Sequence, residues 1–333
     1  HVGLGESADL LVIAPATADV IAKIAHGLAN DLLTVTALAA RCPIMIAPAM
    51  DVGMFEHPAT QANLKVLVER GVTVIGPAEG RMASGLMGKG RLVEPVELLG
   101  HIRLMVSRGG PFTGRKFVVT AGGTQEAIDP VRFISNHSSG KQGFAMAQAA
   151  LDRGADVTLI AGPNSLPPIV GVKLVNVRSA AEMADAVLKA CVDADALVMA
   201  AAVADFRPEA EAEQKIKRGA LDVYDLRLTK TVDILMAVAE QRERTGKPTL
   251  TVGFAAETQN LIDNAREKLF KKKLSLIVAN DVSAADSGFL VDTNRVTIVD
   301  AGGGAAELPL MSKADVAEAV CERIERLLAS KGW

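Results

Sequence analysis

Short unbroken apolar runs alternate with longer amphipathic ones along most of the chain. ADLLVIA at Ala8–Ala14 is continuous and ends at a proline, the pattern of a parallel strand covered on both faces. Thr17 then stands where a helix N-cap belongs, ahead of a helical stretch from Ala18 to about Ala29. The same reading predicts helix over Leu32–Ala40, strand over Pro43–Ala47, helix over Pro58–Arg70, strand over Val72–Ile75 and helix from Pro95 to Val106. The Gly-rich run Gly80–Arg91 predicts a flexible flap, and SRGGPFTG at Ser107–Gly114 a linker.

The rhythm restarts at Arg115. Strands are predicted over Lys116–Thr120, Asp156–Ala161, Val172–Val175 and Ala196–Met199, with helices over Gly140–Arg153 and Ala180–Ala190. The acidic stretch Glu209–Gln214 reads as a mobile lid. After it come a strand at Tyr224–Leu228, a helix at Val232–Gln241, a strand at Leu250–Phe254 and a helix through Lys268 and Lys272. A strand at Leu276–Ala279, a hairpin near Phe289–Val299 and a helix at Lys313–Ala329 complete the prediction. Alternating strands and helices predict an α/β protein with two doubly wound, Rossmann-like domains, residues 1–106 and 115–333, joined by 107–114. Ligands then belong at the carboxyl ends of the strands.

Composition narrows the function. At 333 residues the chain can bury two cores, and 49% hydrophobic with 23% charged residues describes a soluble globular protein. A net charge of −3 and 3% aromatics give no electrostatic or stacking reason to expect nucleic acid. No apolar run approaches the ~20 residues of a membrane span. Three cysteines without metal-ligand spacing suit reduced thiols and a cytoplasmic location. The chain opens on His1 rather than Met and is in strand–helix rhythm by Ala8, so it reads as a longer polypeptide lacking its first part.

The candidate chemistry gathers around Asp129–Gly143. A strand ending in Ala121-Gly122-Gly123 is followed, after an insertion of roughly fifteen residues, by a helix beginning near Gly140. Helix N-termini and glycine turns favour anions through free N–H groups and the helix dipole. A dehydrogenase is a poor match: Gly122-Gly123 is not G-x-G-x-x-G, and Ala161-Gly162-Pro163 stands where an acid for the ribose belongs. Activation of a carboxylate by a nucleotide needs cations for phosphates, a carboxylate toward Mg²⁺ and a mobile lysine. Asp205, Lys215, and Lys268 with Lys272 one helical turn apart on one face, supply those groups. From the residues alone, an NAD(P)-dependent oxidoreductase and a non-catalytic flavin- or nucleotide-binding scaffold both stay open.

The motifs DPVRFISNHSSGKQG (Asp129–Gly143), AAVAD (Ala201–Asp205), KIK (Lys215–Lys217), GFAAET (Gly253–Thr258) and AND (Ala279–Asp281) resemble phosphopantothenate–cysteine ligase. More closely, they resemble the C-terminal half of the bacterial bifunctional coenzyme A biosynthesis proteins, over Arg115 to about Leu328. The resemblance implies a ribokinase/Rossmann-like ligase fold. It implies CTP as nucleotide with Mg²⁺, whose ligands it leaves unknown, and 4′-phosphopantothenate activated as its acyl-cytidylate before cysteine displaces CMP. Asn136 would hold the acyl substrate, with Arg132 shaping the loop. Ala202, Asp205, Phe254, Lys268, Lys272 and the Lys230–Ile234 turn with Asp233 would contact nucleotide. Lys215 would be the catalytic lysine.

Ala8–Glu94 resembles the flavoprotein half of the same family, phosphopantothenoylcysteine decarboxylase, on ADLLVIAPATAD and PAMDVGMF. An incomplete flavodoxin-like fold is implied, with its flavin-phosphate loop absent. In that family FMN oxidises the cysteinyl thiol to a thioaldehyde as CO₂ leaves, giving 4′-phosphopantetheine from 4′-phosphopantothenoylcysteine. Thr17, Ala18, Asp19 and Met50 fall where flavin-contacting residues lie, and His1 matches the active-site histidine. Asp51 stands where the family has Asn, and Ser84 where many members have Cys; both are placed among the catalytic positions. A homo-oligomer is implied, dimeric through the ligase half and trimeric through the flavoprotein half.

Overall fold

The computed structural model describes residues 1–82, 84–217, 224–257, 261–281 and 291–330. The chain divides into two compact units, His1–Ser107 and Arg108–Trp333. Among the described residues no helix is long and apolar enough to cross a membrane.

The first unit runs α1 (Val2–Ser7), β1 (Leu11–Ala16), α2 (Ala18–His26), α3 (Leu32–Ala39), β2 (Ile44–Pro48), α4 (Val52–Glu56) and α5 (Pro58–Glu69). It ends with β3 (Thr73–Val74), β4 (Ala78–Arg81), β5 (Met87–Arg91) and α6 (Pro95–Val106). The strands β1-β2-β3 form a parallel sheet in that order. Its middle strand has alternating sides buried in two clusters: Ile46 packs with Ile13, Ile21 and Leu67, while Met45 and Ala47 pack with Ile75, Val93 and Met105. Core therefore covers both faces, as a doubly wound sheet requires. The expectation that Ala8–Ala14 is covered on both faces fails in part, because β1 is an edge strand and Ala14 is exposed. Gly80–Arg91 is not an irregular flap but carries the antiparallel pair β4–β5.

The second unit runs β6 (Lys116–Ala121), β7 (Gln125–Ala127), β8 (Phe133–Ser135), α7 (Lys141–Asp152), β9 (Asp156–Ala161), β10 (Lys173–Asn176), α8 (Ala180–Ala190) and β11 (Ala196–Met199). Next come β12 (Phe206–Pro208), β13 (Leu228–Lys230), α9 (Ile234–Thr245), β14 (Leu250–Glu257), α10 (Leu261–Lys271) and β15 (Leu276–Asp281). The last elements are β16 (Thr293–Asn294), β17 (Val296–Asp300), β18 (Ala305–Glu307), β19 (Met311–Ser312) and α11 (Lys313–Ser330). One eight-stranded sheet has the order β10-β9-β6-β11-β14-β15-β17-β18, parallel up to β15 and antiparallel at β17 and β18. α8 and α9 cover it through Met183, Val187, Ile234 and Val238, and α7 packs with α11.

Three expectations change here. The strand predicted at Tyr224–Leu228 forms instead at Leu228–Lys230, where it pairs with Phe206–Pro208. The hairpin predicted near Phe289–Val299 gives way to β17 pairing with β15 and β18; Phe289 itself lies outside the described residues. Within the Gly-rich 107–114 stretch, Phe112 is fully buried with its ring 4.7 Å from that of Phe117. Burying such a ring contributes on the order of 2–3 kcal/mol, so this stretch is held to the second unit's core by a side chain that composition alone hides.

Candidate functional site

In the second unit the chain leaves β6 toward β9 and β10 on one side, then returns to lay β11 on the other. The loops beyond β6 and β11 diverge at that point, which in open α/β sheets opens a crevice. Short backbone bonds fix the crevice. Ala202 N–H donates to Gly122 O at 2.9 Å. The Ala201 and Ala204 N–H groups donate to Thr120 Oγ1 at 3.1 Å and Thr124 Oγ1 at 3.0 Å. Both threonines are fully buried, and sequence reasoning missed them. A threonine at the end of an apolar strand was the available signal, since a buried hydroxyl must find a partner.

The Asp129–Gly143 loop folds back as the β7–β8 hairpin. Gly122 adopts φ +79°, and a Cβ at Gly143 would sit 2.5 Å from Thr120 O, so the two glycines allow the turn and the close seating of α7 on β6. Asn136 Nδ2 donates to Val203 O at 3.0 Å, tying this loop to the β11 loop.

Two cavities open beside that tie. One, of about 380 Å³, is lined by Asn136, Ser138–Gly143, Ala200–Val203, Asp205, Phe254, Lys268, Asn280, Asn294 and Lys313, among others. The second, of about 370 Å³, is lined by Ala201, Val203–Phe206, Lys230–Leu235, Phe254 and Lys272. They share Ala201, Val203, Asp205 and Phe254. Predicted residues Asn136, Ala202, Asp205, Phe254, Lys230, Asp233, Lys268 and Lys272 are thus brought together. Lys268 and Lys272 do not act as one face: each lines a different cavity, and Lys272 Nζ pairs with Asp233 Oδ2 at 3.1 Å. The larger cavity along α8, about 720 Å³, has Lys116, Glu182 and Asp193 among its lining and holds none of the predicted residues.

The first cavity also contains groups the motifs did not single out. Lys313 is buried; burial pulls its pKa down, the charge of Lys141 acts in the same direction, and Asp292 opposes. Lys141 Nζ pairs with Asp292 at 2.5 Å. Asn294 Nδ2 donates to Gln142 Oε1 at 2.9 Å, and Gln142 Nε2 to Lys313 O at 3.1 Å, so the start of α7 is braced by a polar chain. Among the described residues no three or more His, Cys, Asp or Glu side chains gather as a metal site.

Lys215 is exposed and lines neither cavity. Its neighbour is anchored instead. The carboxylate of Asp129, its side chain wholly inaccessible, accepts Ile216 N–H at 3.1 Å through Oδ2 and the N–H groups of Val131 and Arg132 at 2.8 Å through Oδ1. Arg132 donates to Ile216 O at 3.1 Å. Burial pushes the Asp129 pKa up, but the three backbone donors and the Arg132 charge outweigh it and hold the group below the ordinary carboxylate range. Glu209–Gln214, predicted as a mobile lid, is joined to the rest by Glu209 N–H to Arg227 O at 3.0 Å and Ala212 N–H to Ile128 O at 3.0 Å.

In the first unit, Thr17 caps α2, its Oγ1 accepting Val20 N–H at 3.3 Å, and Asp19 pairs with Lys23 at 3.0 Å. Ala18 is half-buried in the same turn. Met50 packs against the Ile13–Ile46 cluster, and its N–H donates to Gly90 O at 3.0 Å, seating β5 on the loop after β2. Asp51 caps α4 through Gly53 N–H at 3.1 Å, and Ser84 Oγ donates to Asp51 Oδ2 at 2.5 Å. The Ser84 bond, with the Gly53 bond behind it, lowers the Asp51 pKa against opposition from burial. His1 is exposed at the start of α1, and no hydrogen bond joins its ring to Asp51 or Ser84. For a flavin, the small residues and the Thr17 hydroxyl suit the uncharged ring system. Asp19, at the same helix start, would reject its phosphate, so this turn fits one part of the cofactor only.

Comparison with known proteins bears on both units. Residues 112–328 match the family model "DNA/pantothenate metabolism flavoprotein C-terminal domain", and residues 1–107 match "Flavoprotein". The chain is similar to the Coenzyme A biosynthesis bifunctional protein CoaBC of Bacillus subtilis (strain 168), 46% identical over 100% of this chain and 81% of that one. It is also similar to a Cysteine/Cysteine sulfinic acid decarboxylase from an unknown prokaryotic organism, 44% identical over 98% of this chain and 92% of that one. Among solved structures, the C-terminal domain of a Coenzyme A biosynthesis bifunctional protein CoaBC covers 67% of this chain and 100% of its own. Its TM-score is 0.56 and its identity 37%.

Proposed function

The chain belongs to the family of bifunctional coenzyme A biosynthesis proteins, and from that premise we propose how its two units divide the work. The second unit joins 4′-phosphopantothenate to cysteine using CTP; the first decarboxylates the resulting 4′-phosphopantothenoylcysteine to 4′-phosphopantetheine. The observation that carries this reading is the pair of cavities meeting at Ala201, Val203, Asp205 and Phe254. An acyl-cytidylate needs two substrates whose reacting atoms meet at one place.

The nucleotide takes the cavity with Lys230, Asp233 and Lys272 and extends past the shared wall to Ala202 and Lys268, and the acyl substrate takes the Asn136 side of the other cavity. The substrate carboxylate attacks the α-phosphorus of CTP, and pyrophosphate leaves. The amine of cysteine then attacks the acyl carbon, and CMP leaves. Asp205, the carboxylate at the junction, would face a Mg²⁺ that neutralises phosphate charge. Lys215, on its exposed stem, meets charge developing on the phosphorus and keeps water from the mixed anhydride. In the first unit, FMN supplies reversible oxidation of the cysteinyl thiol when bound, with Thr17 and Ala18 beside its ring. His1 completes that set in this reading, and the assembly pairs ligase halves as dimers and flavoprotein halves as trimers.

A second reading for the first unit has one observation in its favour. An anionic Asp51 repels a substrate carboxylate and attracts an ammonium, which suits a free amino acid such as the decarboxylase relative's name describes. The test of the main reading is direct. CTP, Mg²⁺, 4′-phosphopantothenate and cysteine should yield pyrophosphate and CMP in equal amounts by chromatography. Absence of CMP with all four present overturns the ligase assignment.

A further inference from the structure

Resting on that reading of Lys215, we propose that Asp129 is a positioning residue for the ligase reaction, acting by gripping the peptide group next to Lys215. Asp129 is the fourth residue N-terminal to Phe133 and reaches no cavity of the junction. What it holds is the Ile216 N–H, while Arg132, itself oriented by a 3.6 Å contact with Asp129, holds the carbonyl of the same residue. One carboxylate therefore fixes both ends of a loop: its Oδ1 closes the Asp129–Arg132 turn and its Oδ2 holds the segment carrying Lys215. A lysine on an exposed, otherwise irregular stretch has many positions open to its ammonium. Fixing the adjoining peptide plane removes most of the backbone share of that freedom. A charged acceptor also makes the grip stronger than a neutral one.

The position of Asp129 assigns a consequence beyond rate. If the Lys215 ammonium is what keeps water from the acyl-cytidylate, loosening its segment lets water take the place of the cysteine amine. The acyl–oxygen–phosphorus anhydride then breaks to 4′-phosphopantothenate and CMP, without amide formation.

Asp129→Asn keeps an oxygen for the Val131 and Arg132 N–H groups but presents an amide to Ile216. Ile216→Pro removes the N–H from the other end and leaves Asp129 intact. In the full chain without ligands, trypsin should cut after Lys217, one residue past the gripped peptide and cleavable in every variant, roughly tenfold faster in each variant than in the parent, with unchanged melting. The double variant should cut no faster than either single one. With the three substrates and Mg²⁺, the CMP-to-amide ratio should rise from one in the parent to above two in Asp129→Asn. Equal cutting in parent and variants, additive effects in the double variant, or a ratio that stays at one would each overturn the proposal. A parent that makes no CMP would sink the ligase reading instead, and the cutting experiment would still decide whether Asp129 grips the segment.

Discussion

Both units place loops at the carboxyl ends of parallel strands, and in the second those loops line the two cavities that share Asp205 and Phe254. Its strand order reverses inside the sheet, so the loops after β6 and β11 part, and buried Thr120 and Thr124 hold the β11 loop at its root. In the first unit the described strands run β1-β2-β3 without reversal, and the Asp51–Ser84 pair sits half-buried to exposed beside α4. A reversal in strand order opens a crevice at the carboxyl ends of the strands, and the threonine side chains at its root hold one wall in place.

The sharpest way to break that contrast is through the thiols. Burial pushes the pKa of Cys191 and Cys321, both in the second unit, up to about 12. At pH 8 that leaves roughly one thiolate in 10⁴ at each, and the thiolate is the reactive form. Cys42, in the first unit, is partly accessible. Ellman's reagent should therefore label one thiol promptly in the native chain and the other two only on unfolding. Prompt labelling of all three would mean that the second unit's core opens as readily as the first unit's surface. Next in size is Lys215→Ala, which should lower CMP release by roughly 10²–10³-fold, as loss of a group that stabilises developing charge does. Melting should stay put because Lys215 is exposed. Ordinary turnover in that variant removes it from the mechanism.

Much of the second unit was legible in the sequence because its strands are short apolar runs and its helices begin at capping residues. Asp233 and Ser179 cap α9 and α8 as such residues should. The candidate site residues came from motif wording, which named Asn136, Asp205 and Phe254 but not why they line one cavity. Strand order is non-local, and no periodicity reports it. That is also why Lys268 and Lys272, four apart in sequence, looked like one face and proved to serve two cavities. Lys313 was hidden for a different reason: a lysine opening a helix ordinarily reads as solvated, and only the fold shows it buried.

Glycine substitutions probe the same contrast at smaller scale. At Gly143 a Cβ would meet Ala121 Cβ and Thr120 O, both at 2.5 Å, so Gly143→Ala must lift α7 from β6. A cost of about 1–3 kcal/mol is expected, seen as a fall of several degrees in the second unit's melting. At Gly53, in α4 of the first unit, the nearest atom is Asp51 Oδ1 at 3.7 Å. There alanine should be neutral or stabilise by up to about 1 kcal/mol, since it is the better helix former. Equal destabilisation at both would show that packing against the sheet does not distinguish the units.

Asp51→Asn carries the smallest expected effect and the most direct bearing on what the first unit accepts. The depressed pKa means that Asp51 stays ionised from neutral pH down to the acid range. Any stability it lends is present above its unfolded value near ~3.9 and is lost as pH falls through the lower folded value. Across the working range a substrate carboxylate therefore meets a negative charge, whereas asparagine would offer it an N–H. The replacement keeps one oxygen to accept the Gly53 N–H, so α4 retains its cap, while its NH₂ takes the place of the oxygen toward Ser84, whose hydroxyl can turn to accept. At this half-exposed site the gain is screened, and roughly two- to fivefold tighter binding of a carboxylate-bearing acyl-cysteine is expected, with weaker binding of a free amino acid. Calorimetry with each ligand on the flavin-free protein reads this without turnover. Parallel changes for the two ligands would mean that Asp51 faces neither charge, and its bond to Ser84 would then serve only to close β4–β5 over α4.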